Sequence, residues 1–254
     1  MCFALLAMNR HPDYPFILAA NRDEFYARPA LAMHEWKDAE GVIGGRDLES
    51  MGSWLALNKQ DQRFALVTNV REGVPQVAER SRGLLIRDLV DTQQPVSDCL
   101  QILAAEQQRY AGFNVLAGNL HGSVYYFSNR NGVTVSPLAD GLHALSNAKL
   151  DTPWPKVVRG KQRLAALLDF DQVTVESLFA ILADDEVAAD EQLPDTGIGL
   201  DKERWLSPLF IHNPEFGYGT RCSTLILVNK SGDIELYERT FEGGTAVSDV
   251  CLML

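Results

Sequence analysis

The 254-residue sequence predicts an α+β fold in which two antiparallel sheets pack face to face with helices on the outside. Three observations carry this expectation. Short apolar runs of strand length, separated by turn residues, dominate the first 70 residues. The hydrophobic period then switches to a helical one on two separate occasions. The resulting order (strands, helices, strands, helices, strands) lacks the regular alternation of a doubly wound parallel sheet.

The elements follow in order. Residues 2–8 and 16–20 are apolar strands joined by Asn9-Arg10-His11-Pro12-Asp13, a turn-rich link that suits a hairpin. Residues 53–58 and 63–70 form a second pair. Ser81-Arg82-Gly83 leads into the run LLIRDLV, and Cys99, Leu100, Leu103 and Ala104 within 96–109 stand at helical spacing behind Pro95. Strands return at 113–117 and 122–127 across Asn119-Leu120-His121-Gly122, and again at 142–146. After Pro155, the residues Val157, Val158, Leu164, Leu167 and Leu168 form the apolar stripe of a helix, and 175–182 forms another. The acidic stretch 183–199 reads as a surface loop. Strands at 220–229 and 233–241 close the chain as a hairpin around Lys230-Ser231-Gly232. Neither repeat nor linker interrupts it, so residues 1–254 are expected to form a single domain.

Composition narrows the function. With 46% hydrophobic and 22% charged residues the chain can build a sizeable core. A net charge of −11 opposes a sequence-independent grip on nucleic acid, while a basic set skewed to arginine suits carboxylate, phosphate or propionate. No apolar run approaches the roughly 18 residues of a membrane span. Residues 2–8 lack the preceding positive region of a signal peptide. A cytoplasmic protein is therefore expected, with its oligomeric state open. Cys2, Cys99, Cys222 and Cys251 are scattered without metal-like spacing, so neither a disulfide framework nor a metal is expected, and most of them read as small core residues. Gly44, Gly45 and Gly52 punctuate GGRDLESMGSWLAL, either for close approach to a ligand or for tight turns. They form no nucleotide fingerprint.

Cys2 stands directly behind the initiator methionine. Were Met1 trimmed, the chain would begin with a thiol and a free α-amine, whose ordinary pKa values of about 8.5 and about 8 lie near cellular pH. The amine would then serve the thiol as its base, the logic of N-terminal nucleophile catalysis. A retained Met1 would block that amine, and Cys2 would otherwise only fill a strand position. The second feature is Asn21-Arg22-Asp23-Glu24 behind the strand FILAA. If the strand continues, Arg22 faces one side, towards Cys2, where it would lower the thiol's pKa, while Asp23 faces the other and anchors a loop. The alternative is a turn held by local salt bridges.

The ordered set MCFALLA, NRDE, GGRDLESMGSWLAL, FALVTNVRE, SRGLL, LSNAKLDTPWPKV and YGTRCSTLIL resembles the NRDE, or TANGO2 (transport and Golgi organisation 2), family over almost the whole chain. The resemblance implies a four-layer αββα sandwich of the N-terminal nucleophile hydrolase type, nearest to the choloylglycine hydrolases and penicillin V acylases. On that comparison Cys2 is the nucleophile and Arg22 the cation beside it. Asn69 and Asn147 correspond to the asparagines that shape the oxyanion hole, although from the residues alone both read as strand-end turn positions. Asp23 joins Cys2, Arg22, Asn69 and Asn147 as a candidate catalytic residue; those acylases separate their arginine and aspartate by two residues, whereas Arg22 and Asp23 are adjacent, which leaves its role and the register open. Arg221 has no clear counterpart.

Two functions follow from the resemblance. One is hydrolysis of an amide carbon–nitrogen bond, or a thioester, in a small acylated molecule through an acyl-Cys2 intermediate that requires no cofactor. The other is a carrier that traffics haem, or binds acyl-CoA or lipid, in the same cleft, with haem as ligand. The partner is then a small amphipathic molecule. Among His11, His34, His121, His143 and His212 none lies in a haem-attachment motif.

Overall fold

The computed structural model describes residues 2–74, 78–130 and 132–254. They form two compact units: the first holds the chain up to Ala27, Arg71–Val74 and Asp140–Leu254, and the second holds Arg28–Val70 and the chain from residue 78 to Ala139. Each is built on one seven-stranded sheet whose pairings are all antiparallel.

In the first unit β1 (Cys2–Met8) lies between β2 (Phe16–Phe25) and β10 (Gly141–Leu145). β2 then pairs with β12 (Tyr218–Val228), followed by β13 (Ile234–Glu242) and β14 (Thr245–Met253), with the short β11 (His212–Asn213) also on β12. Alternate residues Phe3, Leu5, Ala7, Ile17, Ala19, Leu225 and Leu227 share one face. There they meet Val157, Leu164 and Leu168 of α3 (Pro155–Asp169) and Leu178, Phe179, Ile181 and Leu182 of α4 (Val175–Leu182). The intervening residues Ala4, Leu6, Leu18, Ala20 and Ile226 are buried too. Burial on both faces explains why these strands read as unbroken apolar runs rather than alternating ones.

Local chemistry sets the helix starts. Pro155 occupies the first turn of α3, where its missing N–H costs nothing. Thr174 and Ser177 bond reciprocally at the start of α4. α3 approaches the sheet closely because residue 160 has no side chain: a Cβ there would stand 2.9 Å from the Phe3 ring and 3.2 Å from Leu5 Cδ2.

The second unit is a meander of β3 (Ala30–Glu35), β4 (Val42–Asp47), β5 (Leu55–Asn58), β6 (Arg63–Asn69), β7 (Phe113–Asn119), β8 (Val124–Ser128) and β9 (Ser136–Pro137). α1 (Arg82–Val90) and α2 (Val96–Ala105) place Leu85, Ile86, Leu89, Leu100 and Leu103 against Ala65, Val67, Phe113, Val115 and Phe127 of that sheet. Each unit thus has a sheet with helices on one face, as the sequence pattern predicts.

Several elements differ from the sequence expectation. The glycines of β4 and the polar composition of the six-residue α5 (Leu200–Trp205) hid them from the sequence reading, which also missed the mostly exposed strands β3 and β14. The acidic stretch 183–199 is not wholly a surface loop: Asp184 is buried beneath Arg159 and Arg163, with Arg159 Nε 2.6 Å from its carboxylate. Of the cysteines only Cys222 is buried, while Cys251 is exposed. The glycines of GGRDLESMGSW act in packing. A Cβ on Gly45 would lie 2.0 Å from the Trp54 ring, and one on Gly52 would lie 2.3 Å from the Gly83 carbonyl carbon.

Among the described residues no helix is long and apolar enough to cross a membrane.

Gly160→Val is expected to lower stability by about 2 kcal/mol, since an overpacked core costs roughly 1–3 kcal/mol. Urea unfolding of the variant against the wild type measures this.

Candidate active site

The NRDE segment does not turn. It continues β2, and the register fixes where each of its side chains goes: Cys2 on β1 pairs with Arg22, and Arg22 pairs on its other side with Cys222. Residues directly opposite in a ladder share a face, so Cys2, Arg22 and Cys222 lie side by side. Asn21 and Asp23 point the other way. Asn21 donates from Nδ2 to the carbonyls of Leu182 (2.9 Å) and Leu209 (3.0 Å) and accepts from Ser223 Oγ (2.6 Å). It is therefore a structural clamp between the sheet and the segments packed on it. Asp23 accepts from Thr220 Oγ1 at 2.8 Å, and its carbonyl accepts from the Tyr218 hydroxyl at 2.8 Å. These bonds answer the desolvation cost of burying consecutive polar groups.

A bulge in β12 between Thr220 and Cys222 makes this arrangement possible. The extra residue, Arg221, leaves the ladder and donates from Nη1 to the carbonyls of Phe25 (3.1 Å) and Tyr26 (3.0 Å).

Asn147 follows β10 by two residues and is buried. β10 pairs with β1 up to the Ala4–Leu145 rung, two residues before Asn147. Its carbonyl accepts from the Arg71 amide at 2.7 Å. The loop behind it is stapled by Asp151, whose carboxylate accepts from His143 Nδ1 (2.9 Å), the Ala144 amide (2.9 Å) and Lys161 Nζ (2.7 Å). Burial alone would raise the Asp151 pKa, but these three donors outweigh it and hold the carboxyl at about 2. Asn69, the last residue of β6, belongs to the second unit, where it pairs with Phe113. Cys2, Arg22, Asp23 and Asn147 thus gather in one unit. Asn69 is not among them. The state of Met1 lies outside the described residues.

Three buried charged residues of the first unit, Lys156, Arg71 and Glu203, were missed from the sequence. Lys156 is 1% exposed and donates from Nζ to the Pro208 carbonyl at 3.2 Å. Burial, reinforced by the Arg71 charge, pulls its pKa down to about 7 against the opposing pull of Asp23, Cys2 and Glu203. Arg71 pairs through Nη1 with the buried Glu203 and lies over the Trp154 ring, 4.7 Å from its centroid. Glu203 also accepts from the Thr196 amide at 3.0 Å. A signal for Lys156 was present: it stands four residues before Gly160 and eight before Leu164, on the buried stripe of α3.

The electrostatics differ from the expected activated thiol. Cys2 is partly exposed as a residue, yet burial of its sulfur pushes the thiol pKa up. Asp23 adds to the rise, while Arg22 lowers it as expected but does not prevail. Burial raises the Asp23 pKa as well, against the pull of Lys156. The thiol therefore needs a base beside it, and a lysine titrating near 7 is largely neutral at slightly alkaline pH. As for metals, His11, Asp13 and Asp171 bring ligand atoms within 4.8 Å of one another. His11 Nδ1 accepts the Asp13 amide, so Nε2 carries the proton towards Asp171, and Asp13 is bound by Lys230 at 2.6 Å. That set is a closed hydrogen-bond cluster.

Two pH dependences follow. The folded pKa of Lys156, about 7, lies below its ordinary 10.5, so between these values the unfolded chain binds more protons and stability rises with pH. Lys156→Met is expected to be more stable than the wild type at pH 6 by about 2 kcal/mol. The gap should close towards pH 10, which urea titrations at both pH values check. Asp151 behaves oppositely: its folded pKa lies below the ordinary 3.8, so its contribution is present above that value and lost as pH falls through about 2. Asp151→Asn is expected to cost about 1 kcal/mol at pH 7, discounted for its partial exposure, and nothing near pH 2 in the same measurement.

Comparison with known proteins agrees with this architecture. The profile described as "TANGO2: Transport and Golgi organisation 2" matches residues 1–243. The chain is 32% identical to a Transport and Golgi organization protein 2 homolog of Bos taurus, over 96% of this chain and 94% of that protein. It is 31% identical to the Homo sapiens homolog, over 94% and 93%, and 29% identical to the Drosophila melanogaster protein, over 96% and 93%. Among solved structures it is similar to a variant of conjugated bile acid hydrolase from Clostridium perfringens. That match has a TM-score of 0.55 at 9% identity, covering 98% of this chain and 92% of that one. At such identity the likeness is one of fold alone, the N-terminal nucleophile hydrolase fold. With matching relatives along almost its whole length, and the Cys2–Arg22 rung inside the matched region, the chain belongs to the Transport and Golgi organisation 2 family.

Proposed function

We propose that the chain is an acyl-transfer hydrolase acting on the amide carbon–nitrogen bond, or the thioester, of a small acylated molecule. The observation that carries this reading is the Cys2–Arg22 rung, which sets a guanidinium beside the thiol. The fold likeness to a bile acid hydrolase supports it.

In the first step the Cys2 sulfur attacks the acyl carbon, a carbon–sulfur bond forms and the carbon–nitrogen bond breaks. The thiol proton passes to the base and then to the departing amine. Water next attacks the acyl-Cys2 thioester, releasing the carboxylic acid and restoring the thiol. The α-amine of a trimmed chain would be that base. Asn147 is suited to donate to the oxyanion, a contribution worth about 3 kcal/mol where such donors have been removed. Asn69 and Asp23 are assigned no step.

Carriage of haem, acyl-CoA or lipid is the competing reading, and haem would need an axial donor.

Cys2→Ala is expected to abolish turnover across a panel of N-acyl amides and acyl thioesters, by at least about 1000-fold, and mass spectrometry of the wild type should trap a covalent acyl group on Cys2. Turnover indifferent to the substitution, or a Soret shift on titration with haem and no turnover at all, would sink this reading.

A further inference from the structure

The Arg71 guanidinium is buried, and its ion-pair partner Glu203 engages only one of its nitrogens. Buried charged donors left without partners favour an anion.

Arg71 shows where the anion would sit. One end of its guanidinium, Nη1, is taken by Glu203, and the ring of Trp154 lies against its flat face. The side chain is only 4% exposed. Yet among the described residues its Nε and Nη2 have no hydrogen-bond partner. These two atoms form the side-on fork of the guanidinium, whose parallel N–H bonds match the two oxygens of a carboxylate. Buried donors left unmade carry a desolvation penalty, which a bound ligand would remove. Glu203 and Trp154 meanwhile fix the fork in place without closing it.

The fork lies in the electrostatic neighbourhood of Cys2: the charges of Arg71 and Cys2 both act on the buried Tyr218 hydroxyl, and the Arg71 amide donates to the carbonyl of Asn147. Lys156 feels the charges of both Arg71 and Cys2.

We propose that the Nε and Nη2 edge of Arg71 recognises a carboxylate on the substrate, so that the acylated molecule cleaved at Cys2 is an anionic one, of the N-acyl amino acid or acyl-carboxylate class. This rests on the acyl-transfer reading for its chemistry, and its test does not require turnover.

The probes are iodoacetate and iodoacetamide, which have the same shape and differ in charge. Each alkylates a thiol by forming a sulfur–carbon bond, expelling iodide and releasing the thiol proton to buffer. Peptide mass spectrometry reads the rate at Cys2, with the exposed Cys251 as reference. Cys2 in the full-length protein is expected to react at least 10-fold faster with iodoacetate than with iodoacetamide, when each rate is normalised to Cys251. The double variant Arg71→Met with Glu203→Gln keeps the local charge balanced and should abolish this preference, while Arg71→Lys restores part of it. As a measurement on the wild type alone, acetate should protect Cys2 from iodoacetamide where acetamide at the same concentration does not.

A normalised ratio near one, equal protection by acetate and acetamide, or a preference surviving in the double variant overturns the proposal. Acyl turnover that depends on Cys2 without the anion preference would leave the hydrolase reading standing and remove only this one. An anion preference lost with Arg71, in a protein that turns over no acyl compound, would do the reverse.

Discussion

The pairing of β1 with β2 is the constraint on which the first unit depends. Seven consecutive rungs, from Cys2 with Arg22 to Met8 with Phe16, set the phase of both strands. Because both faces of these strands are buried, a slip of one residue would send Phe3, Leu5 and Ala7 away from the helices that cover them. The hydrophobic core thus holds the reactive rung in register. The same interlock places Arg22 beside the thiol and Asn21 under the carbonyls of Leu182 and Leu209, one residue apart and on opposite faces.

A second constraint is electrostatic. Natural cores seldom hold a lysine at 1% exposure, and among the described residues this one donates one hydrogen bond, to the Pro208 carbonyl, from an amine that as an ammonium has three N–H groups. The usual explanation for such an arrangement is that stability has been given up for reactivity. Lys156, Asp23 and Cys2 each have a pKa displaced towards the neutral form by burial. A site of neutral, closely coupled groups exchanges protons at little cost in charge separation, which is the condition an acyl transfer needs.

Much of this was legible in the chain. The two-sheet order, the helices at α1 to α4 and the alternation of Asn21, Arg22 and Asp23 all follow from period and turn chemistry, because long apolar patterns report burial directly. What escaped had physical reasons. β14 carries polar residues on both faces of an exposed edge, and β4 contains two glycines that read as a turn until Trp54 is seen packed on one of them. The expected lowering of the Cys2 pKa by Arg22 was right in its sign. Desolvation, which depends on three-dimensional burial, outweighed it. Arg71 and Glu203 lie 132 positions apart, and no local pattern joins them.

The bulge at Arg221 has a consequence for how this chain can vary. Downstream of it, Leu225 and Leu227 face the helices; upstream, Thr220 reaches Asp23 on that same side. Without the additional residue the two halves of β12 would be out of step, and a hydroxyl or an alkyl group would be delivered to the wrong surface. A single-codon deletion there would rotate an entire half-strand. The length of β12 is thus as constrained as the side chains buried along it.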